Sequence, residues 1–220
     1  MAENPNKFPD PVIDDMDLYQ SFQLMKQRDF DAADELIEKG IEKAKKKKDR
    51  TLEGLYLSAR GVLYKLKKDY KESYKYYQQA ERLLKEDHSI RIITAVLLIE
   101  EFHQYETAVK KLQKTIEVSS DPVILHHAKA IQAMGYFLMG EKNLSKQNFD
   151  FILAQNFEKL RFAANLDFKM IELFVAKKFE LKLCESYLKK ALELAQSKKE
   201  TVFEAVILKL LSGVRELSNS

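Results

Sequence analysis

Apolar residues recur at helical spacing along almost the whole chain, in segments that alternate with short polar breaks. Spacings of three and four residues place such positions on one face of an α-helix. The pattern predicts helix pairs at 15–28 with 31–48, 52–67 with 71–86, 89–102 with 105–118, 122–140 with 144–155, and 159–177 with 180–197. A last helix is predicted over 201–217. Because the breaks inside each pair are short, the two helices of a pair are expected to be antiparallel.

A short element recurs at the break inside each pair: a polar residue followed by an aromatic residue or leucine. Its second members are Phe30, Tyr70, Tyr105, Leu144 and Phe179, separated by 40, 35, 39 and 35 residues. Small, large and small residues follow three, seven and ten positions later. The trios are Ala33, Ile37 and Gly40, then Ser73, Tyr77 and Ala80, then Ala108, Leu112 and Thr115, then Gln147, Phe151 and Ala154. Small residues at these positions allow two helices to pack closely.

The fifth unit departs from this pattern. The same offsets fall on Lys182, Ser186 and Lys189, which are poor candidates for a buried row. A better apolar row, made of Leu183, Tyr187 and Ala191, follows one or two residues later. We therefore expect a register shift in this unit.

These units resemble the tetratricopeptide repeat family. The second unit carries the resemblance through Leu57, Gly61, Tyr64, Tyr70, Ser73, Tyr77 and Ala80. The third and fourth units carry it through Val96, Ile99, Tyr105, Ala108 and Leu112, and through Met134, Gly135, Leu138, Phe151 and Ala154. The family unit has about 34 residues, which is shorter than the spacings here. The resemblance covers roughly residues 15–197 and implies an all-α, right-handed α-solenoid of about five hairpins.

The same interpretation divides the chain into three segments. Residues 1–14 are predicted to be a flexible, proline-containing arm, because they hold Pro5, Pro9 and Pro11. Residues 15–197 are predicted to form the repeat domain, and 198–220 a C-terminal capping helix and tail. The fourth proline follows Asp121, a typical pair of residues for a helix start. We expect one elongated domain rather than two compact ones.

Composition supports a helical chain and narrows its setting. Glycine and proline together number 6 + 4 = 10, too few for sheets joined by tight turns, and 45% of residues are apolar. A net charge of +3 makes a nucleic-acid partner unlikely on charge grounds. The lone Cys184 excludes an internal disulfide and favours the cytoplasm. The first residues lack a signal-peptide core, and the apolar stretch 90–99 is about half of a membrane span, so no membrane partner is expected.

Candidate chemistry is sparse along the sequence. The adjacent His126 and His127 point about 100 degrees apart on a helix, so they do not chelate a metal together. Cys184 has no CxxC partner, and the glycines form no phosphate-binding loop. The sequence therefore predicts a protein without enzymatic activity, metal or cofactor.

The resemblance implies a binding groove on the first helices of the pairs. The corresponding positions are Leu55, Ser58, Val62, Lys65, Ile93, Leu97, Glu100, Lys129, Gln132, Tyr136, Met139, Asp167, Ile171 and Phe174. This lining is mainly apolar and suits a peptide or an amphipathic helix of another protein, with Tyr136, Met139 and Phe174 as anchors. The alternative is that these residues pack between helices. The cationic set with which chaperone-binding relatives hold a terminal carboxylate is absent.

Two other surfaces remain open to interpretation. The last helix carries Val202, Phe203, Val206, Leu210 and Val214, which form either a capping surface or a homodimer surface. Exposure of Val202, Ala205 and Leu208 would favour the dimer. The basic run from Lys45 to Arg50 is either a solvated helix end or a docking patch for an acidic protein or lipid head group.

Taken together, the sequence predicts a non-enzymatic adaptor or scaffold that binds another protein in its groove. The alternative is a structural or oligomeric module that acts through its C-terminal helix.

Overall fold

The computed structural model describes residues 15–157 and 164–218, so the predicted arm over 1–14 lies outside the described residues. These residues form eleven α-helices, and no strand occurs among them, which confirms the all-α class. The helices are α1 Met16–Lys26, α2 Phe30–Lys47, α3 Arg50–Leu66, α4 Tyr70–Leu83, α5 His88–Glu100, α6 Tyr105–Val118, α7 Pro122–Leu138, α8 Lys142–Ala154, α9 Ala164–Ala176, α10 Leu181–Ser197 and α11 Thr201–Ser218.

The described residues divide into two compact units. Residues 15–103 hold α1 to α5, and the described residues from 104 onward hold α6 to α11. In the first unit each helix contacts the next, and α1 also contacts α3. In the second unit α7 contacts α6, α8 and α9, while α10 contacts α8, α9 and α11. The single repeat domain over 15–197 stays a prediction.

Aspartate side chains begin most of these helices. The first backbone N–H groups of a helix have no partner within the helix, so a carboxylate at the cap stabilises the start. The aspartates that accept such a bond are Asp15, Asp29, Asp49, Asp69, Asp87 and Asp121. The predicted start at Asp121 and Pro122 is confirmed, with 2.8 Å from the Val123 nitrogen to the Asp121 carboxylate.

The turns inside several pairs share one backbone geometry. A residue with positive φ lies two positions after the last residue of the first helix, as at Arg28 (64°), Lys68 (62°) and Gly140 (85°). The next residue, for example Asp69, donates its N–H to the carbonyl five residues earlier, here at 2.9 Å. This pair of features is the Schellman motif, which satisfies carbonyls at a helix end. The residue that donates this N–H is also the N-cap of the following helix.

A buried row runs along the second helix of every pair, at its fourth, eighth and eleventh residues. The fourth residues are Ala33, Ser73, Ala108, Ser145 and Cys184, all with no exposed surface. The eighth residues are Ile37, Tyr77, Leu112, Phe149 and Leu188, and the eleventh are Gly40, Ala80, Thr115, Ile152 and Ala191. The buried positions are therefore the same in each of these helices when residues are counted from the start of the helix.

This rule corrects the predicted register of the fourth unit. The residues expected to be inward, Gln147, Phe151 and Ala154, are exposed instead. Helix α8 begins at Lys142, directly after the turn at Gly140, which is two residues earlier than the recurring element predicts. A two-residue change rotates a helix face by about 200 degrees, so the expected row turns outward.

In the fifth unit the expected register shift is found. Helix α10 begins at Leu181, two residues after Phe179. Of the row preferred from the sequence, Tyr187 and Ala191 are buried, and Leu183 is half-buried.

Close helix contacts lie on this row. The Ser73 hydroxyl donates to the Gly61 carbonyl at 2.8 Å, which joins α4 to α3. The Ser145 hydroxyl donates to the Ala133 carbonyl at 2.9 Å, which joins α8 to α7 in the same way. Both serines are the fourth residue of their helix, so the two pairs share one mode of packing.

Within the described part of the chain, every helix is too short or too polar to cross a membrane.

Candidate functional site

One open face of α3 carries several of the predicted groove residues. Leu55, Ser58, Val62 and Lys65 lie on it together with Leu66, and we call these five residues the α3 surface. Leu55 and Leu66 are 40% and 50% exposed. Other positions of α3 are buried against neighbouring helices: the Tyr56 ring lies against Gly40 of α2, and Gly61 lies against the Tyr77 ring of α4.

The groove positions on α5 are less accessible. Leu97 is buried in the core of the first unit, while Ile93 and Glu100 are half-buried. Helix α5 is apolar on most of its circumference, and such a helix buries most of its side chains. Leu97 is therefore a packing residue.

On α7 the predicted groove residues divide between core and surface. Gln132 is buried, and its side-chain nitrogen donates to Gln113 Oε1 on α6 at 3.1 Å. Asn148 on α8 donates to Gln132 Oε1 at 2.9 Å, and Lys129 Nζ donates to Asn148 Oδ1 at 3.0 Å. This chain of polar groups links α6, α7 and α8. The Gln132 side chain is therefore held inside the unit and is not exposed in a groove.

Three groove residues of α7 remain on its surface. Tyr136 and Lys129 are half-buried, and Met139 is exposed just beyond the helix end. The Lys129 ammonium lies 5.7 Å from the centre of the Phe151 ring. Burial lowers the pKa of Lys129 below its ordinary value. The ammonium thus lies in a partly desolvated position.

The three groove positions on α9 are buried in the core. Phe174 has no exposed surface and packs against Phe137, Phe149 and Phe179, with ring centres 5.3, 5.5 and 4.9 Å away. Ile171 is equally buried. The alternative interpretation, packing between helices, applies to these two residues, and Phe174 is not available as an anchor.

Asp167 belongs to a buried polar cluster that the sequence did not reveal. Its Oδ2 atom accepts a bond from the Tyr187 hydroxyl at 2.6 Å and lies 2.7 Å from His126 Nε2. These residues come from α9, α10 and α7, separated by 20 and 41 positions. No local spacing signals such a cluster, because only tertiary packing brings the three helices together.

The cluster is shielded from solvent. His126, Asp167 and Tyr187 are each at most 3% exposed, and His126 Nδ1 and Asp167 Oδ1 are buried without a hydrogen-bond partner. Burial, together with the Asp167 charge, raises the pKa of the Tyr187 hydroxyl, so the phenol remains a donor. A buried cluster of this kind specifies how its helices pack.

Helix α11 shows the exposure that the dimer interpretation requires. Val202, Ala205 and Leu208 are all exposed, and Leu208 is 48% exposed. The other residues of the predicted surface differ among themselves. Val206 is exposed, Phe203 and Leu210 are half-buried, and Val214 is buried.

The buried side of α11 packs against its own unit. Ile207, Leu211 and Val214 face inward, and the Phe203 ring lies 6.3 Å from that of Phe168 on α9. One side of this helix therefore covers α9 and α10, and the other side presents apolar residues to solvent.

The basic run ends α2 and begins α3, and all its residues are exposed. Lys45 lies 4.0 Å from a Glu53 oxygen across the turn, and cations in a last helical turn favour the negative end of the helix dipole. This geometry agrees with a solvated helix end.

Cys184 is the buried fourth residue of α10. Burial raises the pKa of its thiol to about 12, which leaves it protonated and unreactive at neutral pH.

Among the described residues, no three histidine, cysteine, aspartate or glutamate side chains are grouped closely enough to hold a metal ion. No protein-family model matches the chain, and a search of curated proteins also finds no match.

Proposed function

We propose that this chain is a non-enzymatic adaptor or scaffold that binds a peptide or an amphipathic helix of another protein. In this proposal the helix pairs are repeats similar to the tetratricopeptide family, arranged as a right-handed α-solenoid of about five hairpins with α11 as the cap. The proposed compartment is the cytoplasm, because the lone Cys184 is a buried thiol.

Repetition at the level of helix packing supports this architecture. The same three positions are buried in α2, α4, α6, α8 and α10. The turn with a left-handed residue recurs, and first helices of successive pairs contact each other, as α1 contacts α3 and α7 contacts α9. Contacts of this kind between neighbouring pairs are typical of helical repeat proteins.

The exposure of Leu55 and Leu66 is the observation that carries the binding proposal. Both leucines lie on the α3 surface, with the half-buried Val62 between them. Full burial of a leucine contributes about 1.5–3 kcal/mol, so covering these partly exposed residues offers useful binding energy. The exposed Lys65 on the same face gives this surface a polar edge.

A displayed library of random peptides, selected on the full chain, tests this proposal. Peptides that bind the α3 surface are expected to lose about tenfold or more in affinity for Leu55→Ser/Leu66→Ser, because about 1.4 kcal/mol corresponds to tenfold. Leu208→Ser on α11 is the matched control, since it removes a comparably exposed leucine elsewhere. Helical circular dichroism should be unchanged in all variants.

Two results would count against the proposal. Selection that enriches no peptide would contradict peptide binding itself. Peptides that bind wild type and the double variant equally would place binding away from the α3 surface.

The second candidate function is a symmetric dimer formed through α11. The observation that favours it is the exposure of three apolar residues of α11, Val202, Val206 and Leu208. Light scattering on a size-exclusion column should then give twice the monomer mass, and Val206→Glu should restore the monomer. A monomeric wild type at high concentration would remove this candidate.

A further inference from the structure

The ammonium of Lys129 is partly buried, and none of the described carboxylates provides a countercharge for it. Its contacts are one hydrogen bond to the neutral Asn148 side chain and the face of the Phe151 ring. No carboxylate of the described residues forms an ion pair with it. A lysine ammonium has three donors, so two remain for a ligand. Charged groups that are taken out of water are usually paired, which makes this site unusual.

Two exposed apolar side chains lie on one face of α8, and one of them, Phe151, contacts this ammonium. Leu144 and Phe151 are 39% and 38% exposed, and they lie seven residues apart on one face of the helix. Asn148, which accepts the hydrogen bond from the ammonium, is buried at the edge of this face. The early start of α8 turns this apolar face outward, so a substantial part of both side chains is left uncovered by the described residues.

We propose that Lys129, Leu144 and Phe151 form a docking site for an acidic side chain of a partner peptide, flanked by apolar residues that cover Leu144 and Phe151. This inference rests on the proposed function, because it names the chemistry of a peptide ligand. It concerns residues of α7 and α8 and none of the residues of the α3 surface.

Charge identifies the ligand as an aspartate or glutamate side chain. The nearest acidic residue along α8, Asp150, is already engaged by Lys146 at 3.1 Å. A carboxylate carries a single charge that one ammonium can balance, whereas a phosphate carries nearly two. A carboxylate that binds here loses part of its hydration but gains a charge-assisted hydrogen bond, which is stronger than a neutral one.

The random-peptide selection on the full chain tests this site with matched ligands. Peptides that bind it are expected to carry an aspartate or glutamate beside leucine, phenylalanine or methionine. Each such peptide is then synthesised with its acid and with the corresponding amide. The acid peptide on the wild-type chain is the reference. The amide peptide on wild type, and the acid peptide on Lys129→Met, should each bind about tenfold more weakly than this reference. The two changes together should weaken binding no more than either alone.

Three variants separate binding from folding. Lys129→Arg keeps the charge and should retain most of the affinity. Phe151→Ser removes the exposed ring and should weaken acid and amide peptides alike. Lys146→Met is the control, because it removes a neighbouring lysine of α8 that already has a carboxylate partner. Thermal unfolding of each variant checks the fold. The comparison of acid and amide peptides on the wild-type chain uses no variant, so misfolding cannot affect it.

The outcomes distinguish this inference from the proposed function. Peptides that bind but ignore both Lys129→Met and the acid-to-amide change would overturn the inference and leave peptide binding intact. Peptides whose binding is weakened only by Leu55→Ser/Leu66→Ser would also overturn the inference and leave peptide binding intact. Selection that enriches no peptide would overturn both.

Discussion

Gly40 on α2 provides a sharp test of the packing between α2 and α3. A Cβ atom added at Gly40 would overlap the ring of Tyr56, and even the more distant Cδ1 atom would lie only 2.6 Å away. The ring has no room to move, because Tyr56 has no exposed surface. Its hydroxyl is also held by Asp15 at 2.6 Å. We therefore expect Gly40→Ala to destabilise the first unit.

The magnitude is the difference between two opposing effects. Forcing an extra carbon into a packed interface costs about 1–3 kcal/mol, and the direct overlap with Tyr56 places Gly40→Ala at the upper end. Alanine is better than glycine inside a helix by about 1 kcal/mol. The expected net loss in the free energy of unfolding is therefore about 2 kcal/mol.

Gly213 on α11 is the matched control for the same substitution. No atom lies within 4 Å of a Cβ added there, so only the helix preference acts. Gly213→Ala should raise the free energy of unfolding by up to about 1 kcal/mol. Urea unfolding followed by circular dichroism measures both variants. Equal stabilisation by the two substitutions would refute the packing of Tyr56 against Gly40.

Three further predictions follow from turns and buried groups. Lys68→Gly should stabilise the chain by about 1 kcal/mol, since Lys68 holds φ at 62°, which glycine adopts more easily. Gly140→Ala should destabilise it by a similar amount, because Gly140 holds φ at 85°. Urea unfolding measures both. Cys184 should react with a thiol reagent only as fast as the chain opens, so rapid labelling under native conditions would contradict its burial. Burial raises the pKa of Tyr77 and Tyr187, so the stability they contribute is complete below about pH 10 and is lost as the pH rises further. Urea unfolding between about pH 9 and about pH 11 should show this loss, with a shallower decline for Tyr187→Phe.

The sequence predicted the helices better than their registers. Ser73, Tyr77 and Ala80 were expected to be inward and are buried, because the recurring aromatic residue there coincides with the start of α4. In α8 the same rule fails. The turn at Gly140 sets the helix start, and a leucine two residues later resembles the aromatic residue of the other units. Backbone conformation at a turn is not encoded in apolar periodicity.

The exposure of the predicted groove residues could be predicted from the sequence only in part. Leu55 is exposed, as a residue of a binding surface has to be. Phe174 and Asp167 occupy matching positions of α9 but are buried, because Phe137, Phe149 and Tyr187 from other helices cover them. Which helix face stays open depends on neighbours that are distant in the sequence.

The turns closed by left-handed residues determine where the chain can change length. From α2 to α10, the starts of the second helices are 40, 35, 37 and 39 residues apart, yet the turns before α2, α4 and α8 keep the same two backbone bonds. Length variation therefore lies outside these three turns, for example in the helices and in connections such as 84–87 and 119–121, which lack that closure. A spectroscopic tag or a cleavage site inserted in those connections leaves each hairpin turn intact, so these are the positions at which the chain can be opened for labelling.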